Sequence, residues 1–304
     1  MKIIQPSYEF FPSSTDLYKK IERCGRTCYQ SFDKISDNSD EKFIKMILSR
    51  RHYTVLEHGQ IIMKMKDNFE GWMTTVNIFG SPYLKSHCNH DYYLVSGNVR
   101  AWVEFFEKLD ASKITSSYYL SVENAFRSKY PLLFGETFDY SVADISWVTP
   151  SELDEEEFCA LYRPTVKIIA DRGFLAEITR HRLASFSVES TRYCNYSNDK
   201  FGNEITMIEP SFYVSNNTQY VLWHNTCLDI EKAYFALLET GSTPQEARSI
   251  LPNSLKTEII MTADIEEWNH IFELRCAEAA HPQMREIMIP MRDSFSLLLR
   301  KKFI

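Results

Sequence analysis

Residues 180–193 read Arg180-His181-Arg182-Leu183-Ala184-Ser185-Phe186-Ser187-Val188-Glu189-Ser190-Thr191-Arg192-Tyr193. Four cationic or cationisable side chains fall in this one segment, although the 304-residue chain carries 34 Lys and Arg against 41 Asp and Glu, a formal net charge of −7. A guanidinium is a planar fork that holds phosphate or carboxylate at two points, so arginines this close together point to a small-anion site. The acidic balance argues against a surface that grips nucleic acid along its length.

Working outward, Thr165–Ala170 is an apolar strand candidate stopped by Asp171-Arg172-Gly173. Phe174, Leu175 and Ile178 then take helical spacing, which places Arg180-His181-Arg182 where a helix runs into a loop. The first quarter reads as a helix from about Thr15 to Tyr29, a second from about Asp40 to Ser49, and a strand from Gln60 to Lys66. In that strand Ile61, Met63 and Met65 alternate with Ile62 and Lys64, a half-buried pattern. Between the two strands, about residues 67–160 look inserted, with helices near Ala101–Leu109 and Tyr118–Lys129 and a link at Ser141–Glu157. The last quarter is mostly helical. Thr243-Pro244-Gln245-Glu246 is a capping box with Pro at the first helical position. A helix follows Asp264, burying Ile265, Trp268 and Ile271 or Phe272, and another follows Pro282, with Met284, Ile287, Met288, Met291 and Phe295 as a core stripe and Pro290 as a kink.

With 44% hydrophobic residues the chain can bury a large core, and no stretch approaches the roughly 20 apolar residues of a membrane span. Seven Cys, with no Cys-x-x-Cys, make no disulfide framework; Cys24 and Cys28 stack on one helix face. The expectation is a soluble, unprocessed, cytoplasmic protein. His87-Cys88-Asn89-His90 has poor spacing for one tetrahedral ion, so no metal site is expected. Neither Gly-x-Gly-x-x-Gly nor a P-loop occurs.

Arg180-His181-Arg182, seven residues, then Ser190 resembles the signature of the flavin-dependent thymidylate synthases, the ThyX family. Three further blocks stand in that family's order: His52-Tyr53-Thr54-Val55-Leu56-Glu57-His58, then Ala247-Arg248-Ser249-Ile250-Leu251-Pro252, then Glu273-Leu274-Arg275. The resemblance implies an α+β fold, a mixed sheet with long helices, here a single domain over residues 1–304 with an inserted helical lobe at about 67–160. It implies conversion of dUMP to dTMP, with methylenetetrahydrofolate as carbon donor and NADPH as reductant through FAD. A homotetramer with FAD sites between subunits is implied too, with no nucleic-acid or membrane partner.

Carried over by the same resemblance, Arg275 and Ser190 are catalytic. Arg275 would stabilise negative charge at the N3/O4 region of uracil and so make C5 a better nucleophile. Glu177, Arg180, Glu189, Ser190, Thr191, Arg192, Arg248 and Arg275 would contact dUMP. FAD would be met by His52, Thr54, Glu57, Arg180, His181, Arg182 and His270. Glu57 and His58 stay open between flavin contact and local hydrogen bonding.

Departures from the family pattern are equally specific. Val188 stands where a polar residue is frequent, and Glu177 replaces a Gln. Asp264-Ile265-Glu266 replaces Asn-x-Arg, yet Ser96-Gly97-Asn98-Val99-Arg100-Ala101-Trp102 inside the insertion carries that pattern. Asn98 and Arg100 are therefore expected to supply the missing flavin contacts at a helix N-terminus, with Asp264 only an N-cap. Two other readings compete: a relative that binds nucleotide without catalysis, and an RNA-binding module stacking bases on Tyr193, Tyr196 and Phe201.

Overall fold

The computed structural model describes residues 1–12, 16–66, 81–88, 91–113, 117–139, 144–215 and 217–299. In chain order its elements are β1 (Lys2–Ile4), β2 (Ser7–Phe10), α1 (Leu17–Tyr29), α2 (Ser39–Ser49), β3 (Gln60–Met65), β4 (Leu84–Cys88), β5 (Tyr93–Asn98), α3 (Val99–Ser112) and α4 (Ser117–Lys129). Then come β6 (Ile145–Trp147), α5 (Glu155–Leu161), β7 (Thr165–Asp171), α6 (Arg172–Ile178), β8 (Ser185–Val188), β9 (Thr206–Ile208), α7 (Thr218–Glu239), β10 (Lys256–Thr262), α8 (Ile265–Arg275) and α9 (Pro282–Leu298). No helix among the described residues is long and apolar enough to cross a membrane.

The central sheet has the order β2-β7-β10-β8, with every neighbouring pair antiparallel. Val166 lies opposite Met261 and Ile168 opposite Ile259, so one face presents a row of apolar side chains. Trp268, Phe272, Met288, Met291 and Phe295 of α8 and α9 cover that row. The other face packs Ile260 on Cys24 of α1. Cover on both faces explains why β10 is almost continuously buried, and why its pattern lacks the alternation that marks a half-exposed strand.

Asp171 ends β7 and caps α6, its carboxylate accepting from the Phe174 backbone N–H at 2.6 Å. Asp264 caps α8 in the same way, through Glu267 N–H at 2.9 Å. The capping box at Thr243 is present and opens a one-turn helix, Pro244–Ala247.

The second sheet, β4-β5-β3-β6, is antiparallel throughout. Ile61, Met63 and Met65 point into a cluster with Ile44 and Leu56 from the N-terminal part, and with Trp102, Phe105 and Phe126 from α3 and α4. Ile62, on the opposite face, meets Leu94 and Leu161. The segment expected to be a helical lobe thus contributes its two expected helices and also three strands: β5 and β6 flank β3, and β4 extends the sheet beyond β5. A lone β3 would leave backbone N–H and C=O groups unpaired along both edges. Gly97 permits the close approach of β4 and α3, because a Cβ there would run into Leu84 and the Trp102 indole. A third unit pairs β1 with β9 in parallel, beside Cys227 and Tyr234 of α7.

Candidate functional site

The loop from Thr179 to Ala184 leaves α6 and enters β8, so its side chains start from a fixed helix end and a fixed strand. His181 turns inward and is 5% exposed, while Arg180 and Arg182 stay at the surface with no side-chain partner among the described residues. Arg275, at the last position of α8, meets this loop. Its Nε donates to His181 Nε2 at 2.9 Å, and its Nη2 donates to the Glu177 carbonyl at 2.8 Å. Nη1 lies 3.4 Å from the Glu177 carboxylate.

Burial, then the charge of Arg275 and the nearby His270, pull the His181 pKa from 6.5 down to about 4. The ring is neutral at pH 7. Since Nε2 accepts from Arg275, Nδ1 carries the proton and faces Glu267 at 3.5 Å. His270 rests edge-on against His181 with ring centroids 5.9 Å apart. One N–H on each terminal nitrogen of Arg275 is left for a ligand. Glu177, Arg180, His181, Arg182, His270 and Arg275, scattered in sequence, therefore form one group.

A second group stands at the other end of β8. That strand has four residues and spans roughly 13 Å, so one loop cannot stand in for the other. Ser190 Oγ accepts from the Arg192 N–H at 3.3 Å, and its carbonyl closes the turn onto Tyr193 and Cys194. Arg248 reaches Thr191 Oγ1 at 3.4 Å, and both Arg192 and Arg248 are exposed. Glu189 behaves differently from its neighbours: it is 1% exposed, with one carboxylate oxygen 2.8 Å from Lys256 Nζ and the other accepting from Tyr196 OH. Its carboxylate braces the loop instead of facing a ligand. The same bond buries Tyr196 and removes it from any exposed row of stacking aromatics.

The His52–His58 block forms a 3₁₀ turn, Tyr53–His58. His52 and Thr54 are exposed, whereas His58 is fully buried. His58 Nδ1 pairs with Thr262 Oγ1 at 2.8 Å and Nε2 with Ser187 Oγ at 3.0 Å, clipping the turn to β10 and β8. Burial first, then Lys20 and Arg163, lower its pKa to about 3, so it is neutral and structural. Of the two roles left open for it, local hydrogen bonding is the one the geometry supports. Glu57 takes Arg100 Nη1 at 2.8 Å, while Glu104 takes Arg100 Nε at 2.7 Å. Asn98 is the N-cap of α3, accepting from Ala101 N–H at 2.7 Å, and its Nδ2 is buried with no hydrogen-bond partner among the described residues.

Lys85 on β4 was not singled out by sequence, and nothing local distinguishes it. Its ammonium lies 3.1 Å from Asp264 and 2.8 Å from Glu266. Burial opposes the charge, but these carboxylates outweigh it and the Lys85 pKa is raised. Arg163, 3% exposed, approaches Asp264 at 3.6 Å, and its Nε and Nη2 have no hydrogen-bond partner among the described residues. The two carboxylates that stand in place of Asn-x-Arg are thus matched by cations. Tyr83 OH donates to the Arg182 carbonyl at 3.1 Å and ties this patch to the Arg-His-Arg loop.

The sequence profile of the family described as "Thymidylate synthase complementing protein" matches residues 13–68 and 161–298, more than half of the chain. A flavin-dependent thymidylate synthase from Geobacter sulfurreducens is 31% identical over 115 residues, covering 38% of this chain and 48% of the relative. One from Pyrococcus furiosus is 30% identical over 120 residues, covering 40% and 48%. The chain spans about half the length of these curated relatives. Among solved structures, a UMP/dUMP methylase, PolB, from Streptomyces cacaoi bound with 5-Br UMP aligns over 98% of this chain and 92% of its own, at 12% identity and a TM-score of 0.42.

Proposed function

The chain belongs to the thymidylate synthase complementing protein family, and from that premise we propose that it is a flavin-dependent thymidylate synthase: it methylates dUMP reductively to dTMP, using methylenetetrahydrofolate and NADPH through FAD. The observation that carries this reading is the Arg275 guanidinium, fixed by Glu177 and neutral His181 with one N–H free on each terminal nitrogen, beside the unpaired Arg180.

Uracil C5 is a weak carbon nucleophile. Arg275, held in one orientation before the ligand arrives, would stabilise negative charge at N3/O4 and enrich C5 without reorganising at the moment of reaction. Neutral His181 accepts from Arg275 without adding a competing positive charge. Arg180, Arg192 and Arg248 are suited to the phosphate, and Ser190 lies beside Arg192 to meet the base. The two groups sit at opposite ends of β8, so we assign them to one site shared between copies in a homotetramer.

The donor set also fits FAD. The exposed Arg182, His52 and Thr54 leave cationic and polar groups available, and the orphaned Asn98 Nδ2 is a buried donor at the start of α3. Arg100 would contribute by exchanging Glu57 or Glu104 for pyrophosphate, whereas Lys85 keeps Asp264 and Glu266 from repelling it. Bound FAD would carry the reducing equivalents and handle the one-carbon unit, which is why none of the seven cysteines need act as a nucleophile.

The test is the visible spectrum of the purified protein, followed by anaerobic NADPH addition with and without dUMP. Flavin absorbance that bleaches faster with dUMP, and dTMP formed on adding methylenetetrahydrofolate, are expected. A protein that takes up no FAD, or takes it up and forms no dTMP, would overturn the reading.

A further inference from the structure

Where the inserted segment meets the matched core, a cavity of about 350 Å³ opens between the N-terminal turn of α1, β3, Tyr162 and, from the insertion, Lys129, Tyr130 and Trp147–Pro150. It lies outside the site described above, and its far wall comes from Lys129, Tyr130 and Trp147–Pro150, which the family profile does not match. Lys20, Lys129, Tyr130 and Tyr162 line it.

Lys20 is only partly exposed, and among the described residues its ammonium has neither a hydrogen bond nor an ion pair. The Tyr130 and Tyr162 hydroxyls have no hydrogen-bond partner there either, and Tyr162 is 7% exposed. Burial raises both phenols to about 12, so they remain protonated donors. Asp16 also lines the cavity, but its Oδ1 is already taken by the backbone N–H groups of Tyr18 and Lys19. Apart from Gln60 and Thr149, the remaining wall is apolar and includes Ile62, Val148, Pro150 and the indole of Trp147, which stands edge-on to Tyr130 at 5.3 Å. Leaving a cation and two hydroxyls partly desolvated without acceptors costs free energy that an anion would recover.

We propose that this cavity is a binding site for a small aromatic oxyanion, a phosphate or carboxylate carried on a planar ring, with the oxyanion on Lys20, Tyr130 and Tyr162 and the ring against Trp147. The volume suits a ligand about the size of a mononucleotide. Binding there would brace the insertion against α1 and β3, and the inference does not depend on the proposed synthase activity.

Lys20 also gives the site a pH signature. Burial lowers its pKa to about 8; Cys24 opposes this, and Arg163 lowers it further. The charged and titratable groups beside it are Cys24, His58 and Arg163, and Asp16, Lys129, Tyr130 and Tyr162 share the cavity wall with it. Cys24, Tyr130 and Tyr162 are held at about 12 and His58 at about 3, so none of them changes charge while Lys20 titrates. Anion affinity should therefore fall as pH rises from 7 to 9.

The experiment is isothermal titration of the full chain, taking as parent a chain with Arg192→Ala and Arg248→Ala, which remove the phosphate contacts proposed for dUMP and leave the cavity unfilled, and using 1-naphthyl phosphate, inorganic phosphate and 1-naphthol. One 1-naphthyl phosphate per chain should bind at least tenfold more tightly than either fragment. Lys20→Gln should weaken it at least tenfold and abolish the pH dependence, and Tyr130→Phe should weaken it severalfold, both variants keeping the parent's melting temperature within a few degrees. Equal affinity in parent and Lys20→Gln, or no stoichiometric binding of 1-naphthyl phosphate by the parent, would overturn the proposal.

Discussion

Acidification should loosen the turn that carries His52 and Thr54, because His58 holds it while uncharged. His58 is fully buried between Thr262 and Ser187, and its pKa falls from 6.5 to about 3. A folded-state pKa below the unfolded one means that this group's contribution is present in full above pH 6.5 and drains as pH falls toward 3. Between pH 7 and pH 5 the unfolded chain gains about 1.5 pK units of protonation free energy that the folded chain cannot match, or about 2 kcal/mol. The perturbation is His58→Gln, which cannot titrate. It should cost about 1–3 kcal/mol at pH 7, where hydrogen bonds to Thr262 or Ser187 are weakened. Its further loss on going to pH 5 should be smaller than the parent's by about 2 kcal/mol. Equilibrium urea unfolding, followed by tryptophan fluorescence at both pH values and one protein concentration, measures each loss. Carboxylates shared by the two proteins cancel in the difference. If parent and variant lose the same stability within about 0.5 kcal/mol, His58 is not the buried neutral clip described here.

Arg275→Lys keeps the charge but loses the fork that joins His181, Glu177 and the ligand; kcat/KM for dUMP should fall by about a hundredfold or more with the fold intact by circular dichroism. Arg248→Ala should raise KM for dUMP roughly tenfold and leave kcat near the parent's, the pattern of a lost phosphate contact, and steady-state kinetics will separate the two. Lys85→Glu places a third carboxylate beside Asp264 and Glu266, so the variant should retain less FAD after gel filtration and melt several degrees lower in a thermal scan. Gly97→Val should destabilise by about 1–3 kcal/mol in urea melts, since its Cβ meets Leu84 and Trp102 before any methyl is added.

The helices that pack α8 and α9 onto the central sheet were legible one by one. Trp268 and Phe272, or Met284, Met288 and Met291, repeat at a spacing that only a helix can turn toward one surface, and Asp171 and Thr243 mark where helices begin. The strands were less legible. β10 is covered on both faces and so carries no alternation, and β8 has only four residues, too few for a period. Long α7 went unread because its mixed apolar and polar surface gives no clear stripe, with Cys227 and Tyr234 its buried residues.

Sequence by itself determined the residue types and their order: the Arg-His-Arg loop, Ser190 with Arg192, Arg248 and Arg275, and the acidic helix start at Asp264. Tertiary structure decided which of these meet. Arg275 finds His181 and Glu177 across nearly a hundred residues, whereas Glu189, adjacent to Ser190, is turned inward by Lys256 and Tyr196. It also decided that Lys85 offsets Asp264 and Glu266, and that Lys20 lies without a hydrogen-bond or ion-pair partner among the described residues in a cavity walled on one side by the insertion. Local patterns follow from backbone periodicity and are written along the chain. Charge pairing and burial depend on distances that exist only once the sheet registers and helix packing are fixed.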